Sequence, residues 1–392
     1  MLPLQGITVI SIEQAVAAPF ATRQLADLGA RVIKIERPGE GDFGRRYDTT
    51  VLGQSSHFVW INRSKESLTL DLKHAEAPRI LAKLLEHADV FVQNLVPGAA
   101  ARLGLGAEAL RAKYPRLIVG DISGYGADGP YSQKKAYDLL IQCETGMVSI
   151  TGTPETPSKA GISVADIAAG MYAYSGILTA LYQREKTGQG AALEVSMFEA
   201  LGEWMSYPTY FAAYGGSAPP RTGARHATIF PYGPFRTAGG KEVFLGIQNE
   251  REWAAFCAEV LHAPQIAVDP RFIDNRARVA HREDLAQIIE QAFAGLEADE
   301  VVARLEAAQI ANARLNTPQE FADHEQLKAR NRWRGVDSPE GPIRALLPPV
   351  TMEGVEPRMD PIPGIGEHTE AILLELGYGR GDIDRLASEH AI

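Results

Sequence analysis

Short β-branched runs alternate with amphipathic stretches through the first third of the chain. Ile7 to Ile12 reads as a strand, Ala17 to Leu28 as a helix and Arg31 to Glu36 as a second strand. A strand, helix and strand closing within roughly 30 residues is a βαβ unit. The rhythm continues. Ser67 to Leu72 alternates like a strand, Ala75 to His87 is amphipathic, Asp89 to Gln93 is a strand, Ala107 to Lys113 is a short helix and Leu117 to Asp121 is another strand. This order predicts an α/β fold, a parallel sheet covered by helices, with ligands gathering at the loops that leave the carboxyl ends of the strands.

The sheet is expected to be Rossmann-like, yet the turn after its first strand, Glu13-Gln-Ala-Val-Ala-Ala-Pro19, carries no G-x-G-x-x-G. A dinucleotide site of the usual kind is not expected there. Pro19 just inside a helix start suits a backbone that opens its N–H groups to a ligand, and equally suits an ordinary helix start. Near Ser206 the composition shifts to Tyr, Pro and Gly, which predicts a connecting segment over 206–225. Beyond it, Pro234 to Leu245 reads as a hairpin turning at Gly239-Gly240, and Arg282 to Ile310 as one or two helices. The expected organisation is a large domain begun by residues 1–205, a small α+β domain over 226–325, and a return segment over 326–392 that completes the large domain. The last helix of that segment is read at Thr369 to Leu376.

The chain has 392 residues, with 39 Lys and Arg against 49 Asp and Glu and a formal charge of −10. Acidic balance spread along the chain argues against nucleic acid as a partner. The two cysteines, Cys143 and Cys257, support neither a disulfide framework nor a four-cysteine metal site, so a reducing, cytoplasmic setting and no metal are expected. The start of the chain has no basic leader, and its first apolar run meets Glu13 early. The longest uncharged stretches, Ile167 to Gln183 and Trp204 to Pro220, carry glycine, serine, tyrosine or proline; no membrane association is expected, and the first reads as a buried helix.

The sharpest local feature is Gly161-Ile-Ser-Val-Ala-Asp166, leading into the small-residue run Ile167-Ala-Ala-Gly-Met-Tyr-Ala-Tyr-Ser-Gly. Asp166 is placed where strand gives way to helix. It reads either as an N-cap or as a carboxylate nucleophile at a helix start, with small neighbours admitting an acyl group and little room for water.

Several segments together resemble the class III CoA-transferases, the superfamily of formyl-CoA transferase and the carnitine and bile-acid CoA-transferases, which also contains the α-methylacyl-CoA racemases. They are Leu25 to Asp42 (LADLGARVIKIERPGEGD), Asn62-Arg-Ser-Lys, Leu70-Asp-Leu-Lys73, Gln93-Asn94 before Pro97-Gly98, Ser123-Gly-Tyr-Gly126, Ala136-Tyr-Asp138 and Gly364 to Thr369. The resemblance implies that Asp166 is the acylated aspartate. It implies coenzyme A contacts at Val16, Ala17, Arg37, Leu70, Asp71, Leu72, Lys73, Asn94, Leu95, Arg102, Lys135 and Tyr137. Read by themselves, Arg37 and Arg102 are equally surface charges, Leu70 and Leu72 core residues, and Asn94 a cap on the turn before Pro97. The resemblance further implies an interlocked homodimer, no tightly bound cofactor, and a coenzyme A thioester and a carboxylic acid as substrates.

Racemases of the superfamily carry a histidine at the position of Tyr137 and a glutamate where Asn249 aligns. Neither residue here is a base near neutral pH, which favours transfer over racemisation, although Glu250 lies one residue on. A silent acyl-CoA-binding protein is the third possibility. The glycine run that formyl-CoA transferases use as a lid is missing; Thr222 to Tyr232 stands in its place, making formate and oxalate poor guesses. Subfamilies with a His and a Pro-Tyr-Gly there resemble enzymes of succinyl-CoA with itaconate, citramalate, malate or mesaconate. Arg225 or His226 then pairs with the distal carboxylate of a C4 or C5 dicarboxylic acid, or His226 is merely a structural histidine.

Overall fold

The computed structural model describes residues 1–392, divided into two compact units. The first comprises Met1–Thr145, Ala160–Ser206 and Arg330–Ile392, the second Gly146–Lys159 and Tyr207–Ala329. The short segment 146–159 thus leaves the first unit before the chain returns to it at Ala160, an excursion that the pattern of apolar positions does not announce.

In the first unit six strands form one parallel sheet: β1 (Thr8–Ile12), β2 (Arg31–Glu36), β3 (Lys65–Thr69), β4 (Val90–Gln93), β5 (Ile118–Ser123) and β6 (Ala192–Ser196). Their order is β3-β2-β1-β4-β5-β6. Ile10 of β1 sits level with Ile33 of β2 and Phe91 of β4, so the middle of the sheet is continuous apolar surface. Helices α1 (Ala17–Asp27), α2 (Ala77–Glu86), α3 (Ala107–Lys113), α4 (Asp138–Glu144) and α5 (Val164–Thr187) belong to this unit. Ile80, Leu81, Leu84 and Leu85 of α2 share a core with Ile10, Ile33 and Phe91, as their helical spacing predicts. α5 is long and apolar enough to cross a membrane by length and composition, and half of its most apolar window is buried within the fold.

Two boundaries differ from the sequence reading. β3 begins at Lys65 and ends at Thr69, so Leu70 to Leu72 lie beyond it. No strand precedes α5: Gly161 to Ser163 are irregular, and Asp166 lies inside the helix. The C-terminal segment returns to the exposed edge of β3, where Thr369 Oγ1 accepts the Thr69 N–H at 2.9 Å and Asp71 donates its N–H to Ala391 O at 2.7 Å. Covering an edge strand in this way satisfies backbone groups that otherwise invite another chain.

The second unit contains an antiparallel sheet of β7 (Tyr232–Arg236), β8 (Glu242–Gly246) and β9 (Ala311–Ala313). The hairpin turns at Gly239 and Gly240, both at positive φ, as read from the sequence. Its core joins Phe230, Phe235, Trp253, Phe256, Phe272 and Phe293. The segment expected to be a plain connection contains helix α6 (Ser206–Gly215), because Pro208 sits in its first turn, where a missing N–H costs nothing. Helices α7 (Asn275–Ala280) and α8 (Arg282–Phe293) also lie in this unit.

Candidate active site

The strand order reverses between β1 and β4, which opens a crevice beyond their carboxyl ends. The turn from β1 to α1 enters that crevice with Ala15 at φ +60°. Asn94, just past β4, clasps it: its Oδ1 accepts the Gln14 N–H and its Nδ2 donates to Gln14 O, both at 2.9 Å. Asp42 Oδ1 accepts the Ala15 N–H at 3.0 Å. The side chain of Asn94 is therefore engaged with the first turn, not with the turn before Pro97.

Under this turn lies a buried cluster of charges. Glu13 accepts from Thr22 Oγ1 and from Lys65 Nζ, each at 2.7 Å, and lies 3.5 Å from Lys34 Nζ, which donates to Asp42 at 2.7 Å. Glu36 accepts two bonds from Arg45, and others from Ser67 Oγ and the Asp42 N–H. Burial acts to raise the Glu13 carboxyl, but the neighbouring Lys65 and Lys34 hold it below the usual range. Burial pushes Lys65 down to about 8 against the pull of Glu13. The sequence reading passed over these residues; charges inside apolar strand runs, as in Arg31-Val-Ile-Lys-Ile-Glu36, were the available signal.

Asp166 is the third residue of α5, and the N-cap position belongs to Ser163, whose side chain makes no capping bond. The capping role expected of Asp166 is filled by Asp138 at the start of α4, whose Oδ1 accepts the Ala165 N–H at 2.8 Å while Oδ2 accepts from Gln142 at 2.7 Å. One turn beyond Asp166, a Cβ on Gly170 would stand 2.7 Å from Ala17 O and 3.0 Å from the Phe20 ring. Only a glycine lets the two backbones come this close. The crossing sets the half-buried Asp166 carboxylate against the N-terminus of α1, beside the Ala17 N–H. Burial, and then the charge of Asp138, push its pKa up to about 7, with the Ala17 N–H acting the other way. Tyr47, unmarked in the sequence, is also close: burial and then the charges of Asp42 and Asp166 push its phenol up to about 12.

The chain matches the family described as CoA-transferase family III over residues 4–369. The chain belongs to that family. It is 36% identical to an acetyl-CoA:oxalate CoA-transferase of Acetobacter aceti over 87% of this chain and 89% of the relative. It is 32% identical to a succinyl-CoA:glutarate CoA-transferase of Mus musculus, over 98% and 89%. A succinyl-CoA–D-citramalate CoA-transferase of Chloroflexus aurantiacus is 30% identical, over 100% and 98%. Among solved structures, a CAIB/BAIF family protein from Brucella suis superposes with a TM-score of 0.83 at 30% identity, covering 96% of this chain and 99% of that one. The protein is therefore an enzyme with CoA-transferase chemistry, and its substrates include coenzyme A thioesters.

In this CoA-transferase the parallel topology gathers most of the other residues singled out in the sequence at one edge of the sheet. Val16 and Ala17 follow β1, Arg37 follows β2, Leu70 to Lys73 follow β3, Asn94, Leu95 and Arg102 follow β4, and Lys135 and Tyr137 follow β5. Their side chains differ in what they can offer. Val16 and Ala17 are buried at the start of α1. Arg37 is exposed and paired with Glu40 at 2.7 Å. Leu70 is buried in the sheet core, and Leu72 packs on it. Asp71 accepts the Lys73 N–H at 3.0 Å, closing a turn that leaves the Lys73 side chain exposed. Leu95 is half-buried and donates its N–H to Gln93 at 2.7 Å. Arg102, Lys135 and Tyr137 are exposed.

Arg225 and His226 belong to the second unit. His226 stacks on Tyr232 with ring centres 5.2 Å apart, and its Nδ1 accepts the Thr228 N–H at 3.2 Å. In the same unit Asn249 caps the helix that follows it, and Glu250 is gripped by both arms of Arg278 at 2.8 and 2.9 Å. The carboxylate that a racemase reading would enlist is thus committed to an ion pair.

Proposed function

We propose that the enzyme moves coenzyme A between carboxylic acids through an aspartyl-CoA thioester on Asp166, with succinyl-CoA as donor and a C4 or C5 dicarboxylic acid as acceptor. The observation that carries the mechanism is the Asp166 carboxylate, poorly solvated and aimed at the N-terminus of α1. Asp166 attacks the donor carbonyl, the carbon–sulfur bond breaks, and the thiolate departs from a mixed anhydride. The thiolate then adds to the Asp166 carbonyl and expels the donor acid as its carboxylate. The acceptor carboxylate displaces the thiolate in turn, and thiolate attack on the new anhydride releases product and restores Asp166. Each step exchanges one activated acyl bond for another, so no external energy source enters. Oxyanion stabilisation is assigned to the N–H groups of Ala17 and Ala18 in the first turn of α1, which have no acceptor within the helix. Desolvation assists as well: acylation replaces a costly charge with a neutral ester-like group, so the environment that raises the pKa favours the covalent state.

Names of relatives support the choice of acids: succinyl-CoA with glutarate or citramalate, and acetyl-CoA with oxalate. The last keeps oxalate on the list despite the missing glycine run. Unpaired Cys143 and Cys257 support a cytoplasmic setting. The exposed aromatic residues Tyr172, Tyr182, Phe198 and Trp204 support an interlocked homodimer, which sedimentation equilibrium tests by mass. The mechanism is tested by incubating the enzyme with succinyl-CoA and a panel of succinate, glutarate, itaconate, citramalate, malate, mesaconate and oxalate. New thioesters are read by mass, and hydroxylamine is added during turnover. A hydroxamate on Asp166, and no exchange by Asp166→Ala, are expected. A hydroxamate elsewhere refutes the mechanism.

A further inference from the structure

The second unit, taken alone, holds a cavity of about 770 Å³. Apolar surface from Phe211 and Val279 lines it together with Arg225, Arg276 and Arg282. One wall is the loop 222–230, which is fixed from both sides. Arg225 donates its N–H to Thr222 O at 3.2 Å and rests on the β7 backbone, where a Cβ on Gly233 would come within 2.8 Å of its side chain. From α7, Asn275 accepts the Phe230 N–H at 3.1 Å and donates to Thr228 O at 2.9 Å; from α8, Arg282 donates to Ala227 O at 2.7 Å.

The charges in this wall do not balance. Arg221 also lines the cavity, but its guanidinium is spent on the carbonyls of Ser149, Thr153 and Pro154. Arg225 has Glu290 at 3.6 Å, too far for a good hydrogen bond. Arg282 bonds only to carbonyls, and Arg276 is exposed with no ion pair. The one carboxylate among the lining residues, Glu283, is exposed. Burial pulls Arg282 below the ordinary guanidinium value; Glu283 opposes this and the like charge of Arg225 adds to it. Lining one cavity, two cations that repel each other are stabilised by an anion set between them.

We propose that this cavity binds an aliphatic dicarboxylate of four or five carbons, one carboxylate held between Arg225 and Arg282 and the other facing Arg276, with the carbon chain against Phe211 and Val279. The choice of acid rests on the functional reading above; the anion site rests on the arginines. The experiment is isothermal titration of the full-length enzyme, free of coenzyme A, with succinate and with butyrate, its equal in carbon number with one carboxylate fewer. Succinate is expected to bind at least about tenfold more tightly. Arg225→Gln and Arg282→Gln are each expected to lose about tenfold for succinate, and Arg282→Lys to regain part of it. Arg276→Gln, on the exposed rim where folding is not at issue, is expected to lose about threefold. Asp166→Ala is expected to bind succinate as the native enzyme does. Equal affinity for the two acids, unchanged binding in the arginine variants, or loss of binding in Asp166→Ala overturns the site. Because no thioester is present, retained succinate binding in an enzyme that shows no CoA transfer would refute the function and leave this site standing.

Discussion

Asp138 accepts the backbone N–H of Ala165 at 2.8 Å, so a carboxylate from another helix caps α5 one residue before Asp166. The arrangement frees Asp166 for chemistry and places a second negative charge beside it, one of the two causes that raise its pKa to about 7. Asp138→Asn keeps an oxygen for the Ala165 N–H and removes the charge. The acid limb of the pH profile of kcat/KM, which rises as Asp166 ionises, is expected to move down by up to about one pH unit.

Stability carries the same signature. A carboxyl raised from the ordinary 3.8 to about 7 binds its proton more tightly folded than unfolded. Its contribution is present below pH 4 and is lost as pH rises through 7. Asp166→Asn removes that loss and is expected to be more stable than the native chain at pH 8, by about 1–3 kcal/mol, while matching it near pH 4. Urea titrations at the two pH values check this.

Gly170→Ala tests the close crossing of α5 over α1. The added methyl meets Ala17 O at 2.7 Å, so the helices must part. The cost expected in urea denaturation is about 1–3 kcal/mol. A misplaced Asp166 is expected to slow kcat by roughly tenfold to a hundredfold.

The clasp of Asn94 on Gln14 predicts a different pattern. Asn94→Ala removes both hydrogen bonds to the β1–α1 turn and is expected to cost about 1–2 kcal/mol. Its kinetic effect is expected chiefly in the KM for the thioester, because the loosened turn carries Val16 and Ala17. Steady-state kinetics with succinyl-CoA separate this from a fall in kcat.

Lys65→Met leaves Glu13 buried with Lys34 as its remaining cation. Removing one partner of a buried ion pair is expected to destabilise the fold by about 3–5 kcal/mol, read as a lowered urea midpoint. Lys34 and Lys65 both touch Glu13, so the double variant is expected to depart from the sum of the single ones.

Much of the first unit was legible because its central strands, Thr8–Ile12, Val90–Gln93 and Ile118–Ser123, carry buried β-branched runs. Arg31–Glu36 and Ala107–Lys113 form where the pattern places them. β6 was missed because it is an edge strand with alternating exposure, which leaves only a weak run in the sequence. α6 was missed because tyrosine, proline and glycine weigh towards turns even when proline occupies a first helical turn.

What the chain by itself determined was the alternation that builds a parallel sheet, the loops where a ligand must collect, and Asp166 as the acidic residue that opens a small-residue helix. Only the tertiary structure decided that Asp138 and not Asp166 caps that helix, that Asn94 holds Gln14 and that Lys65 reaches Glu13. These partners stand 27, 80 and 52 residues apart. Local periodicity reports which face of an element is buried, whereas a carboxylate's role depends on what the fold carries against it. That is a property of topology, in which residues remote in the chain share one low-dielectric crevice.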